Sequence, residues 1–524
     1  MLPTIAALAI GLYPLIYLGM YLGDAEIHLV YGAHAAEGRY FEFNPGDKSS
    51  GVTSVGYMLL LAQLFSALPS QYVPLAIKVL NIATWYAVAA CTCLIGRRLV
   101  AHPWALAAAM VVGMMPGSVV NATGGMENGL FALAVTVSFY LMMRFRWLVP
   151  HERPSRAGDV LVAVMLALCC ALRPEGIPFT ALAVASRVYL HWTATRQAGG
   201  ALATMLIPGA ATGAVTLALA LFHHAQTGDW LPGSALSRAT MSAAGAVFLG
   251  PFWFDPKFAI RLAAYAPVTL LFLAGSVLVL TGRWRSAHRV EGLLILVFWV
   301  FFVLYSTVLG SVHLARYVIF LMPPMVLVAA IGGERWWTDW DRTRWTSILP
   351  SRRVVAAGLA LGLGAVFTVE TILRLPLGGR DELWRVMRAP QERKAYSDAL
   401  IAALGRPPEL PVSLAYQEVQ ARYWLDDRFV VRSLDGRTDN VLLKYVRDGH
   451  FDHIGYLRER QVDYLAEIVN YNRDRTGWSL NDLSTLREGA SVRQGDMNFT
   501  RLPNGMFAID DVQAPAVPRA ATGR

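Results

Sequence analysis

Residues 54–69 read Ser54-Val55-Gly56-Tyr57-Met58-Leu59-Leu60-Leu61-Ala62-Gln63-Leu64-Phe65-Ser66-Ala67-Leu68-Pro69. Whether this stretch crosses a bilayer or lies along it decides the side of every later loop. Around it the chain is a series of apolar blocks at 3–22, 72–95, 103–121, 126–143, 159–175, 177–191, 200–222, 262–281, 291–309, 317–332 and 354–373. Nearly all run for about 16–24 residues, the length of a helix across a ~30 Å hydrocarbon core. Lipid offers the backbone no hydrogen-bond partner, so blocks of this kind span as helices. Of the 524 residues, 55% are hydrophobic and only 16% charged, against about 25% charged in soluble domains. Beyond residue 373 the pattern stops and the chain turns rich in Arg, Asp and Glu. These observations predict an α-helical polytopic membrane protein with about eleven transmembrane helices in residues 1–373 and a soluble α/β domain in 374–524.

The arginines resolve the parity. If 54–69 lies in the interface, one side's loops hold Arg97, Arg98, Arg144, Arg146, Arg153, Arg156, Arg187, Arg196, Arg283, Arg285, Arg289, Arg335, Arg342, Arg344, Arg352 and Arg353. The other side's loops hold Arg39, Lys48, Arg173, Arg238, Lys257 and Arg316. Sixteen against six is a positive-inside signal. It predicts a cytoplasmic N-terminus, with loops 23–71 and 223–261 and the whole tail on the outer face. The formal net charge of +9 then reflects cytoplasmic arginines and not nucleic-acid binding, since the tail has no basic run interleaved with aromatics. All four cysteines (Cys91, Cys93, Cys169 and Cys170) lie in apolar blocks, which leaves the tail without a disulfide. The first 22 residues lack a basic n-region and a small-residue cleavage site, so they read as a retained span.

The loops poor in arginine carry the polar motifs. The first opens with Gly23-Asp24-Ala25-Glu26-Ile27-His28. Asp24 suits both a solvated cap at the end of a span and a general base, and Asp24 and His28 are spaced to share a helix face. Thr123-Gly124-Gly125-Met126-Glu127-Asn128 combines a tight glycine turn with a carboxylate at a helix N-terminus, where the dipole favours it. Glu127 could also face Asp24 across an outer cavity. Arg173-Pro174-Glu175-Gly176 breaks one helix and starts the next. Arg173 could pair with Glu175 or bind a phosphate. Asp229 and Trp230 lie in the second large outer loop, where Trp230 could anchor at the interface or stack on a sugar ring. His313 and Arg316 fall in the last outer loop. Arg316 suits a lipid headgroup or a specific phosphate. Lys78 and Glu370 lie in or near the ends of apolar blocks, and an intramembrane charge is a functional candidate by default.

In order along the chain, these motifs resemble the GT-C glycosyltransferases, and in particular the bacterial branch that includes the mycobacterial terminal arabinofuranosyltransferases. The likeness rests on Gly23-Asp24-Ala25-Glu26-Ile27, Phe43-Asn44-Pro45-Gly46-Asp47, Gly125-Met126-Glu127, Arg173-Pro174-Glu175-Gly176, Gly228-Asp229-Trp230-Leu231-Pro232-Gly233-Ser234 and His313 to Pro323. In the tail, Tyr416 to Asp435 resembles the family's small extracytoplasmic domain. The resemblance implies transfer of a sugar, arabinofuranose or another pentose or hexose, from a polyprenyl-phosphate donor to a hydroxyl of a glycan, lipid or protein on the outer face of a bacterial inner membrane. It implies catalytic roles for Asp24 and Glu127. Arg173, Arg238, Arg316 and Lys78 would hold the donor phosphate. Glu26, His28, Glu175, Asp229, Trp230 and His313 would line the substrate site. No cofactor is required by the motifs, and scattered carboxylates could hold a divalent metal. Three positions depart from the pattern: Gly23 replaces the first of a paired Asp-Asp, Gly233-Ser234 replaces Asn-Thr, and Gly310-Ser311 replaces Gly-Asp. A flippase for lipid-linked sugars and a catalytically degenerate membrane scaffold are the competing readings. The chain lacks the internal repeat many transporters show, and a scaffold needs no ordered set of outer motifs.

Overall fold

The computed structural model describes residues 12–49, 51–150, 155–230, 266–284, 286, 289–307, 319–340, 382–404, 411–416, 419–434, 438–447, 450–466, 483 and 486–511. The predicted span 354–373 and residues 3–11 of the predicted span 3–22 lie outside these residues.

In chain order the helices are α1 (Gly23–Ala36), α2 (Val55–Ala67), α3 (Val73–Leu99), α4 (His102–Met114), α5 (Pro116–Thr123), α6 (Asn128–Arg144), α7 (Arg156–Leu172), α8 (Gly176–Thr195), α9 (Ala198–Ala203), α10 (Leu206–Thr227), α11 (Ala266–Leu280), α12 (Glu291–Thr307), α13 (Met322–Trp340), α14 (Glu382–Ala403) and α15 (His453–Glu459). Over their described residues, the apolar blocks between 72 and 332 are mainly helical. The block at 103–121 is split into α4 and α5 at Met115, just before a proline, a residue with no N–H to continue a helix. Among the described residues three helical stretches are long and apolar enough to cross a membrane, Ser70–Leu99, Leu206–Thr227 and Ile319–Thr338. A fourth is added if α4 and the bent segment after it count as one broken span. Helix α2 has 13 residues, about 20 Å of rise and short of the ~30 Å core. Ser54 caps it, accepting from the Tyr57 N–H at 3.3 Å.

The chain forms two compact units. The first comprises Met1–Ala25, Ser54–Phe222 and Leu249–Met387. Its core runs from Trp85 and Ile95 on α3 through Phe139 on α6 and Leu166 on α7 to Val328 on α13. Helices α11 and α13 meet through glycines: a Cβ on Gly275 would lie 2.1 Å from the Val328 carbonyl oxygen, the small-residue contact that lets membrane helices approach closely. Arg187, counted above among loop residues, lies inside α8 and is buried. It is ion-paired to Asp159 at 2.5 Å, with its guanidinium 4.4 Å from the Trp147 ring centre.

The second unit comprises Glu26–Thr53, His223–Phe248 and Arg388–Arg524. It holds the short hairpin β1 (Glu42–Asn44) and β2 (Asp47–Lys48), and the strands β3 (Val412–Tyr416), β4 (Phe429–Ser433), β5 (Val446–Arg447), β6 (His450–Phe451), β7 (Tyr464–Leu465), β8 (Ser491–Gln494), β9 (Met497–Arg501) and β10 (Phe507–Asp511). Six of them form a mixed sheet in the order β4-β3-β7-β10-β9-β8. The β4-β3-β7 edge is parallel and the rest antiparallel. The hairpin docks on β4 in part through Asn44, which donates to the Val431 carbonyl and accepts from the Val431 N–H, both at 2.9 Å.

Candidate active site

Within the first unit, the turn that links α5 to α6 gathers the charged residues. Gly125 adopts φ +90°, and a Cβ there would lie 2.4 Å from the Tyr21 ring. Only glycine allows both the left-handed backbone and the close approach. The turn delivers Glu127 as the residue before α6, buried at 2% side-chain exposure. Its Oε1 accepts from Arg173 Nη1 at 2.8 Å. Arg173 caps the C-terminus of α7 in extended conformation. It donates to Glu175 through Nε at 3.1 Å and Nη2 at 2.9 Å, a two-pronged fork. The same Nη1 also donates to the Asn128 side-chain carbonyl. One guanidinium is thus shared by two carboxylates and an amide, with the Phe131 ring centre 6.0 Å away.

Asp24 is the second residue of α1 and half-buried, in the first turn where the helix dipole favours a carboxylate. The backbone entering α1 is tied to the glycine turn, since the Leu22 N–H donates to the Gly124 carbonyl at 2.9 Å. Lys78 is fully buried on α3, and its Nζ donates to the Met20 carbonyl at 2.7 Å. Glu382 at the start of α14 is its charged neighbour, and accepts from the Tyr21 N–H at 3.0 Å. The structure therefore brings Glu127, Arg173 and Glu175 into direct contact, and ties the segment that carries Asp24 to the same turn.

The remaining candidates lie elsewhere. Glu26 belongs to the second unit, where its carboxylate accepts from the Trp424 indole N–H at 2.6 Å. Tyr396 meets Trp424 edge-on at 5.5 Å. His28 is buried on α1. The Asp229 carbonyl accepts from His223 Nδ1 at 2.8 Å. Trp230 is 58% exposed and stacks on His224 with 4.0 Å between ring centres. Arg238, His313 and Arg316 lie outside the described residues. Among the described residues no group of three or more His, Cys, Asp or Glu is arranged to hold a metal ion. Asn128, Asn81, Tyr57, Glu382 and Trp424 were not singled out by the motifs. Asn128 adjoins Glu127 and was within reach of the motif; the others make their contacts across long stretches of chain.

No family model matches the sequence, and no curated protein matches it. Solved structures do. Archaeal oligosaccharyltransferase AglB from Archaeoglobus fulgidus, in complex with an inhibitory peptide and a dolichol-phosphate, aligns with a TM-score of 0.53. The identity is 11%, over 88% of this chain and 69% of that one. The apo form of the oligosaccharyltransferase from the same organism aligns equally, at 0.53 and 11%, over 88% of this chain and 68% of that one. The chain therefore shares the backbone fold of these oligosaccharyltransferase structures. At this identity the likeness concerns the backbone, and function has to be argued from the site.

Proposed function

We propose that this chain is a membrane glycosyltransferase that moves a sugar from a polyprenyl-phosphate donor to a hydroxyl on the outer face of the membrane. The observation that carries the reading is the buried Glu127–Arg173–Glu175 cluster on a turn bonded to the entry of α1, where Asp24 sits. It occurs in a fold shared with a protein captured with a dolichol-phosphate and a peptide, which supports a lipid-linked donor and a glycan, lipid or protein acceptor here. In this reading Asp24 takes the acceptor's hydroxyl proton. The oxygen attacks the anomeric carbon, the bond from that carbon to the phosphate oxygen breaks, and polyprenyl phosphate leaves. Glu127 assists or holds the sugar. Arg173 is the residue that fixes Glu127, and it reaches a phosphate only by releasing one of its present partners. Arg238 and Arg316 complete the donor-phosphate site. The full reading keeps the eleven-span topology with α2 along the interface, a bacterial inner-membrane location, residues 1–373 as the membrane domain, and arabinofuranose as one donor to try.

The test is transfer of radiolabelled polyprenyl-phosphate sugars by membranes that contain the full chain, wild type against Asp24→Asn. Loss of the base lowers transfer by about 10²–10⁴-fold. Equal transfer by both removes Asp24 from the base role, and no transfer by wild type with any donor sinks the reading. Cysteine labelling at 97–102 and 121–127 tests the topology: outside labelling at 97–102 overturns it.

A further inference from the structure

Helix α3 presents two buried polar side chains, Lys78 and Asn81, three residues apart and so on one face. Both end on backbone carbonyls, and on two different segments. Lys78 Nζ grips Met20 at 2.7 Å, and Asn81 Nδ2 grips Met126 at 3.0 Å. Met20 lies four residues before Asp24, and Met126 immediately precedes Glu127. The three consecutive carbonyls of Gly124, Gly125 and Met126 each accept from outside the turn: from the Leu22 N–H at 2.9 Å, the Tyr57 hydroxyl at 2.7 Å and the Asn81 amide. Residues 19–21 are held from the other side by α14, through the Tyr21 N–H to Glu382 and the Leu383 N–H to the Gly19 carbonyl at 2.9 Å.

We infer that Lys78 and Asn81 are positioning residues that set the Asp24 carboxylate against Glu127 by hooking both backbones to one rigid helix. The inference deepens the proposed function and rests on it. The two hooks are about 4.5 Å apart along the helix axis, so the two segments cannot slide past one another while both bonds hold. A buried ammonium in an apolar helix is costly, and satisfying one carbonyl does not require a full charge. A charge beside Glu382 does hold residues 19–21 between two helices at once. For Lys78 this is a different task from binding the donor phosphate, and the two make opposite predictions about KM.

The experiment uses the purified full chain with Lys78→Met, Lys78→Arg and Asn81→Leu. In the transfer assay, Lys78→Met and Asn81→Leu lower kcat by about 10- to 100-fold, the cost of an ångström-scale misplacement, with KM for the donor unchanged. Lys78→Arg, which keeps a cationic donor, recovers most of kcat. Hydrogen–deuterium exchange gives an activity-independent reading: Lys78→Met speeds exchange in 19–25, Asn81→Leu in 121–128, and neither alters 412–416. A raised KM with intact kcat overturns the inference and returns Lys78 to the phosphate. Unchanged exchange in both segments overturns it whatever the kinetics. If wild type transfers no sugar, the functional reading falls and exchange alone decides the frame.

Discussion

Each unit carries a cluster of interlocked charges that ties distant stretches of chain together, and these two clusters are built differently. In the second unit Asp47 and Asp439 meet Arg432 and Arg460, two acids against two bases. Asp47 pairs with Arg432, and Asp439 pairs with Arg460 at 2.5 Å. Both arginines keep 15–19% of their side chains exposed. This network joins hairpin β1–β2 to the sheet, and its balance and exposure suit a structural clasp. In the first unit Arg173, at 6% exposure, is divided between Glu127 and Glu175. Burying charge costs more there than an apolar replacement would, so a buried pair is weak evidence of a purely stabilising role. The clusters differ in ratio and in the depth of the arginine: one deeply buried guanidinium serves two carboxylates in the first unit, and two half-buried ones serve two in the second.

The comparison is broken most forcefully at Arg173. Arg173→Met leaves two acids facing a missing guanidinium and costs about 3–5 kcal/mol, read as lost thermal stability in detergent. Adding Glu127→Gln recovers part of it. If Arg173→Met is as stable as wild type, the cluster is not buried as described. Next comes Gly125→Ala, which forces a side chain into the left-handed region and against the Tyr21 ring. The two effects together amount to roughly 2–4 kcal/mol. A wild-type melting temperature for that variant would refute the tight packing of the turn. Asp439→Asn, in the balanced network, costs about 1–3 kcal/mol. Transfer activity survives it in proportion to folded protein, whereas Glu127→Gln loses activity beyond its stability cost.

The apolar helices were legible because hydropathy is local: a run such as Val73 to Ile95 must bury or meet lipid whatever lies elsewhere. The glycine turn at 124–125 and the helix break at Pro174 were legible for the same reason, since both follow from backbone sterics at single residues. The Arg173 pairing with Glu175 could be read from two-residue spacing. Its pairing with Glu127, 46 residues away, was not read from the sequence at all. Nothing in the sequence linked Tyr21 to Glu382 or Glu26 to Trp424, 361 and 398 residues apart. Such pairs are set by tertiary packing, and no periodicity encodes them. The division of the chain was equally hidden: residues 26–53 join the sheet unit, because Asn44 and Asp47 find their partners on β4 and not on a neighbouring helix.

The smallest effect sharpens the same contrast through pH. His34, near the end of α1, is buried and donates through Nδ1 to the Glu42 carbonyl at 2.8 Å, which pins the helix to the hairpin. Burial lowers its pKa below the ordinary imidazole value, and the nearby Arg39 and Arg422 push the same way, against the Glu42 bond and Glu37. The folded chain therefore prefers neutral His34. Between its folded pKa and the unfolded value of about 6.5, the unfolded chain binds a proton that the folded chain refuses, so stability falls as pH drops through this window and levels off below it. The loss belongs to the second unit, since the hairpin docks there. Melting curves at pH 7.5 and 5.5 for wild type and His34→Gln isolate the contribution: wild type loses more stability on acidification than the variant. Equal losses would mean that His34 is charged in the fold, and that the hairpin is held by Asn44 and the Asp47–Arg432 pair without it.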